Sequence, residues 1–289
     1  MGKNYHHDEL RNTDPEQDGP VTVTLAIAQV APVWEDPQAM LKRVIPLIRQ
    51  ASLKKADIIC FPEQFATGWD PGSSKHAETI GGRIVTRLSQ AAGAHGIAVL
   101  GSVRLLENGS LYNAAVAIGE QGKVIGIYRK IHLFSPHHED STYRPGDDIT
   151  IFSVGDMEFG IAICYDLRFS SLFHIYAAAG VDGVLVPAAW PASRMEAWEI
   201  FIRSHALEDQ MFVIGINTTG NTPVDTYVGG SIAAGPYGDI IARAGTGEGL
   251  TFVEIEAGSV EEARRAIPAA TDRKQGLYHE IYRKVGRPR

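Results

Sequence analysis

The sequence has almost no cysteine, only two in 289 residues. Two thiols cannot staple a chain of this length, so a disulfide-built secreted fold is excluded. No run of ~18 or more apolar residues is present, which leaves no candidate for a helical membrane span. Basic charge is also short: 27 Lys and Arg stand against 34 Asp and Glu, a net charge of −7. Without a basic field to attract a polyanion, nucleic acid is not an expected partner. The opening "MGKNYHHDELRNTDPEQDGP" has no apolar h-region and is no secretory signal. It reads as a flexible leader over 1–20, and both thiols are expected to be free in a reducing, cytoplasmic compartment.

What is present is an average globular composition, 44% hydrophobic and 21% charged, long enough to bury a sizeable core. "VTVTLAIAQV" is rich in β-branched residues and predicts a strand; "DPQAMLKRVIPLIRQASLKKA" follows as a helix with Asp36 as N-cap and Pro37 at its first position. "DIICF", "GGRIVTRLSQAAGAHG" and "IAVLGSV" continue as strand, helix and strand. Asn108-Gly109 and Gln121-Gly122 then separate alternating segments, which is hairpin chemistry and makes the sheet mixed. After "SPHHEDSTYRPGDD" strands and helices alternate again, with a helix over Glu196 to Gln210, and a last hairpin lies in "GGSIAAGPYGDIIARAG". No linker or short-period repeat divides the chain. The expectation is one α/β domain over 21–272, with helices on the outer faces of two mixed sheets, and a C-terminal tail over 273–289.

Cys164 ends the apolar run "FGIAIC" and precedes an expected helix start, where open α/β sheets place reactive groups and backbone N–H groups point outward. A buried structural cysteine fits the same pattern, and Cys60, inside "IICFP", fits that reading better. Glu63 follows a buried strand and Pro62; it is either a solvated loop carboxylate or a general base at the same sheet edge. Lys130 stands between two apolar stretches, as an exposed strand-end lysine or as a functional ammonium. Ten histidines are present, but none has a spacing that marks it as a cysteine's partner. The run His137 to Asp140 is adjacent in sequence and cannot converge on one ion, so no metal is expected.

Together, "FPEQFATGW", "YRKIHLF" and "GIAICYDLRF" resemble, in order, the three motifs of the nitrilase or carbon–nitrogen hydrolase superfamily, whose signature is a Glu-Lys-Cys triad. The resemblance continues through "PGDD", "VPAAWP", "ALEDQMFVIGINTTG" and "GGSIAAGPYGDIIA", over roughly residues 21 to 257. Asp209 stands where the family often has Asn, and Gly235 where it often has Asp. The resemblance implies a four-layer α-β-β-α sandwich and a metal-free, cofactor-free thiol hydrolase. In that reading Cys164 is the nucleophile, Glu63 the proton carrier, and Lys130 with the Tyr165 N–H the oxyanion hole, while Glu139 supports the lysine and helps position substrate.

"CYDLRF" and "PAAWP" further resemble the omega-amidase or Nit-type branch, which implies a small dicarboxylate monoamide as substrate and water as co-substrate. Deaminated-glutathione amidase and N-carbamoyl hydrolase are the alternatives; a nitrilase or a non-catalytic member fits less well. A distal carboxylate needs a cation, for which Arg194 is the candidate, with Trp190 as a pocket wall. The family's habit of pairing implies a homodimer or higher homo-oligomer, through Phe169, Leu172, Phe173 and Tyr176 on one helix and Trp198, Phe201 and Ile202 on the next.

Overall fold

The computed structural model describes residues 19–286, so the leader expected over 1–20 lies, up to residue 18, outside the described residues. β1 (Thr22–Gln29), α1 (Pro37–Leu53), β2 (Ile58–Cys60), α2 (Arg83–His95) and β3 (Ala98–Glu107) alternate as the periodicity predicts. The Asp36 side chain accepts from the Ala39 N–H at 2.9 Å, and Pro37 has no N–H to leave unpaired, which fixes the start of α1. Gly96 ends α2 at φ +60°, a turn that glycine takes without steric cost. β4 (Ser110–Ile118) and β5 (Val124–Arg129) then fold back antiparallel.

The second half begins with the hairpin β6 (Ile151–Val154) and β7 (Met157–Ile161). α3 (Ser170–Ala178), β8 (Gly183–Ala188), α4 (Met195–Asp209) and β9 (Phe212–Asn217) alternate after it. A small separate hairpin, β10 (Thr219–Asn221) and β11 (Thr226–Val228), precedes β12 (Ile232–Ala234), β13 (Ile240–Arg243) and β14 (Gly249–Glu256). α5 (Ala257–Ala266), α6 (Ala269–Asp272) and α7 (Gln275–Val285) complete the described chain.

Two six-stranded mixed sheets result, ordered β14-β1-β2-β3-β4-β5 and β13-β12-β9-β8-β7-β6. Strand alternation sorts the side chains into three cores. Leu25, Ile27, Ile58 and Cys60 of the first sheet meet Phe159, Ile161, Leu185 and Ile214 of the second between the sheets. On the other face of the first sheet, Ala26, Ala28 and Ile59 pack under Val44, Ile48 and Leu88 of α1 and α2. On the other face of the second, Val184, Val186 and Val213 pack under Phe173, Tyr176, Trp198 and Ile202 of α3 and α4. The architecture is therefore the four-layer α-β-β-α sandwich.

A short 3-10 turn, Cys164–Arg168, separates the thiol from α3, which begins at Ser170. One local expectation needs correction. Leu172, Phe173, Tyr176, Trp198 and Ile202, read as an association face, are each at most 4% exposed because they face their own sheet. The exposed apolar residues of α3 and α4 are Ile175, Ile200 and Leu207. Among the described residues no helix is long and apolar enough to cross a membrane.

Candidate active site

β1, β2 and β3 run parallel in one sheet, β7, β8 and β9 in the other, and their carboxyl ends meet at one edge of the sandwich. Glu63 follows β2, Lys130 follows β5, Cys164 follows β7 and Ala189 follows β8. One sheet thus supplies the charged groups and the other the thiol. Cys164 sits at φ +45°, the left-handed region that side chains other than glycine occupy at a cost of about 1–2 kcal/mol. Asp166 holds that turn in place. Its Oδ2 accepts from the Ile163 N–H and the Tyr128 hydroxyl, both at 2.8 Å, and its Oδ1 accepts from the His132 N–H at 2.9 Å. The turn carrying the thiol is thereby tied to the strand end carrying the ammonium.

The four charged or reactive residues expected together are together. Lys130 Nζ donates to Glu63 Oε1 at 2.8 Å and to Glu139 Oε2 at 2.9 Å, with all three residues at most 2% exposed. Asn113 Nδ2 bridges the same two carboxylates, donating to Glu63 Oε1 at 2.7 Å and Glu139 Oε1 at 2.8 Å. Glu139 also accepts from the Phe134 N–H at 2.7 Å and the Trp69 indole N–H at 3.3 Å. Glu63 Oε2 accepts from the Ala189 N–H at 3.0 Å, and the Cys164 thiol lies close enough to Glu63 to feel its charge. Each buried charge therefore has compensating partners, without which burial would cost several kcal/mol.

The environment drives the two carboxylates apart. Burial raises the proton affinity of Glu63, with Glu139 adding to it and Lys130 only partly opposing. Burial acts on Glu139 in the same sense, but Lys130, the Phe134 N–H and Asn113 outweigh it and hold that carboxyl below its ordinary value. Burial opposes the charge on Lys130, yet Glu139 and Glu63 together keep its ammonium protonated well above the ordinary lysine range. Burial and then Glu63 push the Cys164 thiol up, against Lys130 and the Ala189 N–H. Burial thus favours the neutral thiol and raises the proton affinity of the carboxyl beside it, two groups between which a proton can pass.

Above this floor opens a pocket of about 410 Å³, counting its mouth, onto which Lys130 and Cys164 face. Trp69, Phe134, Tyr165 and Trp190 wall it. Trp190 is fixed by its indole N–H to the Arg194 carbonyl at 2.8 Å and its backbone N–H to Asn217 Oδ1 at 2.8 Å. Arg194 reaches the rim, its guanidinium 5.0 Å above the Phe134 ring centroid. Arg168 lies there too, over Trp190 at 5.6 Å and Phe201 at 5.2 Å. The His137–Asp140 run splits: Glu139 turns to the floor while His137 lines the rim. Cys60 is wholly buried between the sheets, where burial alone pushes its thiol far up.

Sequence reasoning assigned no role to Asn113, Trp69, Asp166 or Arg168. Asn113 had a usable signal, a lone amide inside the apolar strand "LYNAAVAI", where only a satisfied polar group is tolerated. Trp69 and Arg168 lie inside the stretches "FPEQFATGW" and "CYDLRF". The N–H groups of Phe134 and Ala189 belong to the backbone and leave no trace in residue identity.

A carbon-nitrogen hydrolase family model matches residues 24–265. The 2-oxoglutaramate amidase of Bacillus subtilis (strain 168) is 29% identical over 257 residues, covering 88% of this chain and 99% of that protein. Omega-amidase NIT2 of Xenopus tropicalis is 33% identical over 253 residues, covering 82% and 90%. Among solved structures, XC1258 from Xanthomonas campestris, a CN-hydrolase superfamily protein, superposes with a TM-score of 0.82 at 24% identity over 88% of this chain and 98% of that one. With the family model spanning most of the described chain and relatives above 30% identity over four-fifths of it, this protein belongs to the carbon-nitrogen hydrolase family, enzymes that cleave non-peptide C–N bonds.

Proposed function

We propose that this protein is a metal-free thiol amidohydrolase that removes the terminal amide of a small dicarboxylate monoamide, as an omega-amidase does. The observation that carries the reading is the Cys164 thiol facing the pocket beside Glu63, with the Lys130 ammonium held between Glu63 and Glu139, beneath a rim bearing two arginines. The names of the relatives, an omega-amidase and a 2-oxoglutaramate amidase, support the substrate class.

Cys164 Sγ attacks the amide carbon as its proton passes to Glu63. The oxyanion is stabilised by Lys130 Nζ and the Tyr165 N–H. The C–N bond breaks as Glu63 returns the proton to the departing nitrogen, leaving ammonia and a thioester. Glu63 then takes a proton from water, which attacks the thioester carbon; the acid forms and the proton goes back to sulfur. Glu139 and Asn113 keep Lys130 and Glu63 in position throughout. At the rim, Arg194 and Arg168 receive the distal carboxylate against the Trp190 wall.

The test is ammonia release from succinamate and butyramide. The two rim guanidiniums, one exposed and one half-buried, favour the carboxylate over the neutral amide by about 1–3 kcal/mol, on the order of 5- to 160-fold in kcat/KM. Equal constants would remove the omega-amidase reading and leave an amidase. We further infer a cytoplasmic homodimer or higher homo-oligomer, supported by the free thiols and by exposed Ile175, Ile200 and Leu207. A light-scattering mass of 31.4 kDa at micromolar protein would refute self-association.

A further inference from the structure

The pocket rim carries a third charge that the proposed chemistry does not use. Asp225, in the turn between β10 and β11, lines the pocket with Arg168 and Arg194. Among the described residues none of the three forms an ion pair. The arginines rest on aromatic faces, and Asp225 Oδ1 accepts only the N–H of its neighbour Thr226, at 2.8 Å. The turn is held independently of that charge: the Thr222 hydroxyl donates to the Asp225 carbonyl and accepts from the Val224 and Asp225 N–H groups. An asparagine would keep the bond to Thr226. What the carboxylate adds is therefore its charge, on a residue that lines the same pocket as Cys164 and Lys130.

Two guanidiniums and one carboxylate leave the rim with one net positive charge, and the floor, with Lys130 between two carboxylates, has one net negative charge. One side chain lies within reach of both charges. The buried Tyr227 phenol is held protonated first by burial, then by Glu63 and Asp225. Hydrolysis of a monoamide changes the ligand's own charge. One carboxylate enters with the amide; two leave, because the amide carbon becomes a second carboxylate as ammonia departs.

We propose that Asp225 sets the charge count of the ligand, restricting the pocket to amides that carry a single carboxylate and speeding departure of the dicarboxylate product. This rests on the omega-amidase reading. Without Asp225 the rim is doubly positive and suits a dianion, so an amide with two carboxylates becomes a competent substrate and the product lingers. Because the rim is open to solvent, the discrimination is screened by salt.

The experiment compares glutaramate with its doubly charged analogue, 2-(2-carbamoylethyl)malonate, at pH 8. Wild type favours glutaramate by at least about tenfold in kcat/KM, and Asp225→Asn shrinks that preference by about threefold, the effect of one further carboxylate. High salt erodes the wild-type preference more than the variant's. Calorimetry on the Cys164→Ala protein supplies a readout that needs no turnover. Adding Asp225→Asn tightens glutarate by about tenfold and glutaramate by only about threefold, since the gain scales with ligand charge. An unchanged kinetic preference together with unchanged glutarate affinity overturns the proposal. If butyramide is hydrolysed and glutaramate is not, the omega-amidase reading fails, and the calorimetric pair still decides the role of Asp225.

Discussion

The floor and the rim of the pocket are built on opposite principles. At the floor, Glu63, Lys130 and Glu139 are buried, with Asn113 bridging the two carboxylates. At the rim, Arg168 is exposed and Arg194 and Asp225 are half-buried, held by ring faces or a turn and, among the described residues, by no countercharge. A buried, paired charge cannot be changed alone, because its partner is then left bare at a cost of about 3–5 kcal/mol. A rim charge is replaced at little structural cost. Reaction type therefore resides in the part of the site that cannot drift, and ligand choice in the part that can.

Breaking the floor gives the largest effects. Cys164→Ala is expected to lower kcat by on the order of 10⁴-fold or more while circular dichroism stays native; Cys60→Ala keeps turnover. An exchange of those phenotypes in an ammonia-release assay would reassign the nucleophile. Next, Glu63→Gln and Lys130→Met should each remove most of the activity, on the order of 10³-fold, with the double variant scarcely worse than either. Additive losses would show that the two do not act as one unit.

A pH profile sharpens the contrast. Glu63 must be ionised to accept the thiol proton, and burial raises its proton affinity, so kcat/KM should fall on acidification through a limb above the ordinary glutamate value of 4.5. Glu139→Gln removes a neighbouring negative charge and leaves Lys130 to Glu63 alone. Both changes favour the ionised form, so the limb moves to lower pH, and an upward move would contradict the electrostatic picture. The smallest effects belong to the rim: Arg194→Ala and Arg168→Ala should each raise KM for succinamate by about tenfold and leave butyramide within about twofold. Parallel losses on both amides would make these arginines structural.

The floor was legible because Glu63 after "DIICFP", Lys130 after "VIGIYR" and Cys164 after "FGIAI" fall in three motifs whose order resembles one family, although each residue alone also fits an ordinary structural role. The largely apolar runs of β1 and β8 likewise fit strands buried on both faces. The rim was harder to read. Arg168 and Asp225 sit in turns where a charged residue is ordinary, and β10 and β11 are three residues each, too short to show a period. Phe173 and Trp198 were assigned to an association face because an apolar helix stripe does not say which neighbour covers it; the sheet beneath does.

Because the thiol rides on one sheet and the Glu63 carboxyl on the other, the site works as a gauge of how the two sheets are seated. A slide of about 1 Å in the layer between them, through Leu25, Ile27, Phe159 and Ile214, would part Cys164 from Glu63 while leaving every strand ladder intact. Under mild denaturation, catalysis should therefore fade before far-ultraviolet ellipticity does. The residual activity would report a loosened interior that spectroscopy of the backbone still counts as folded.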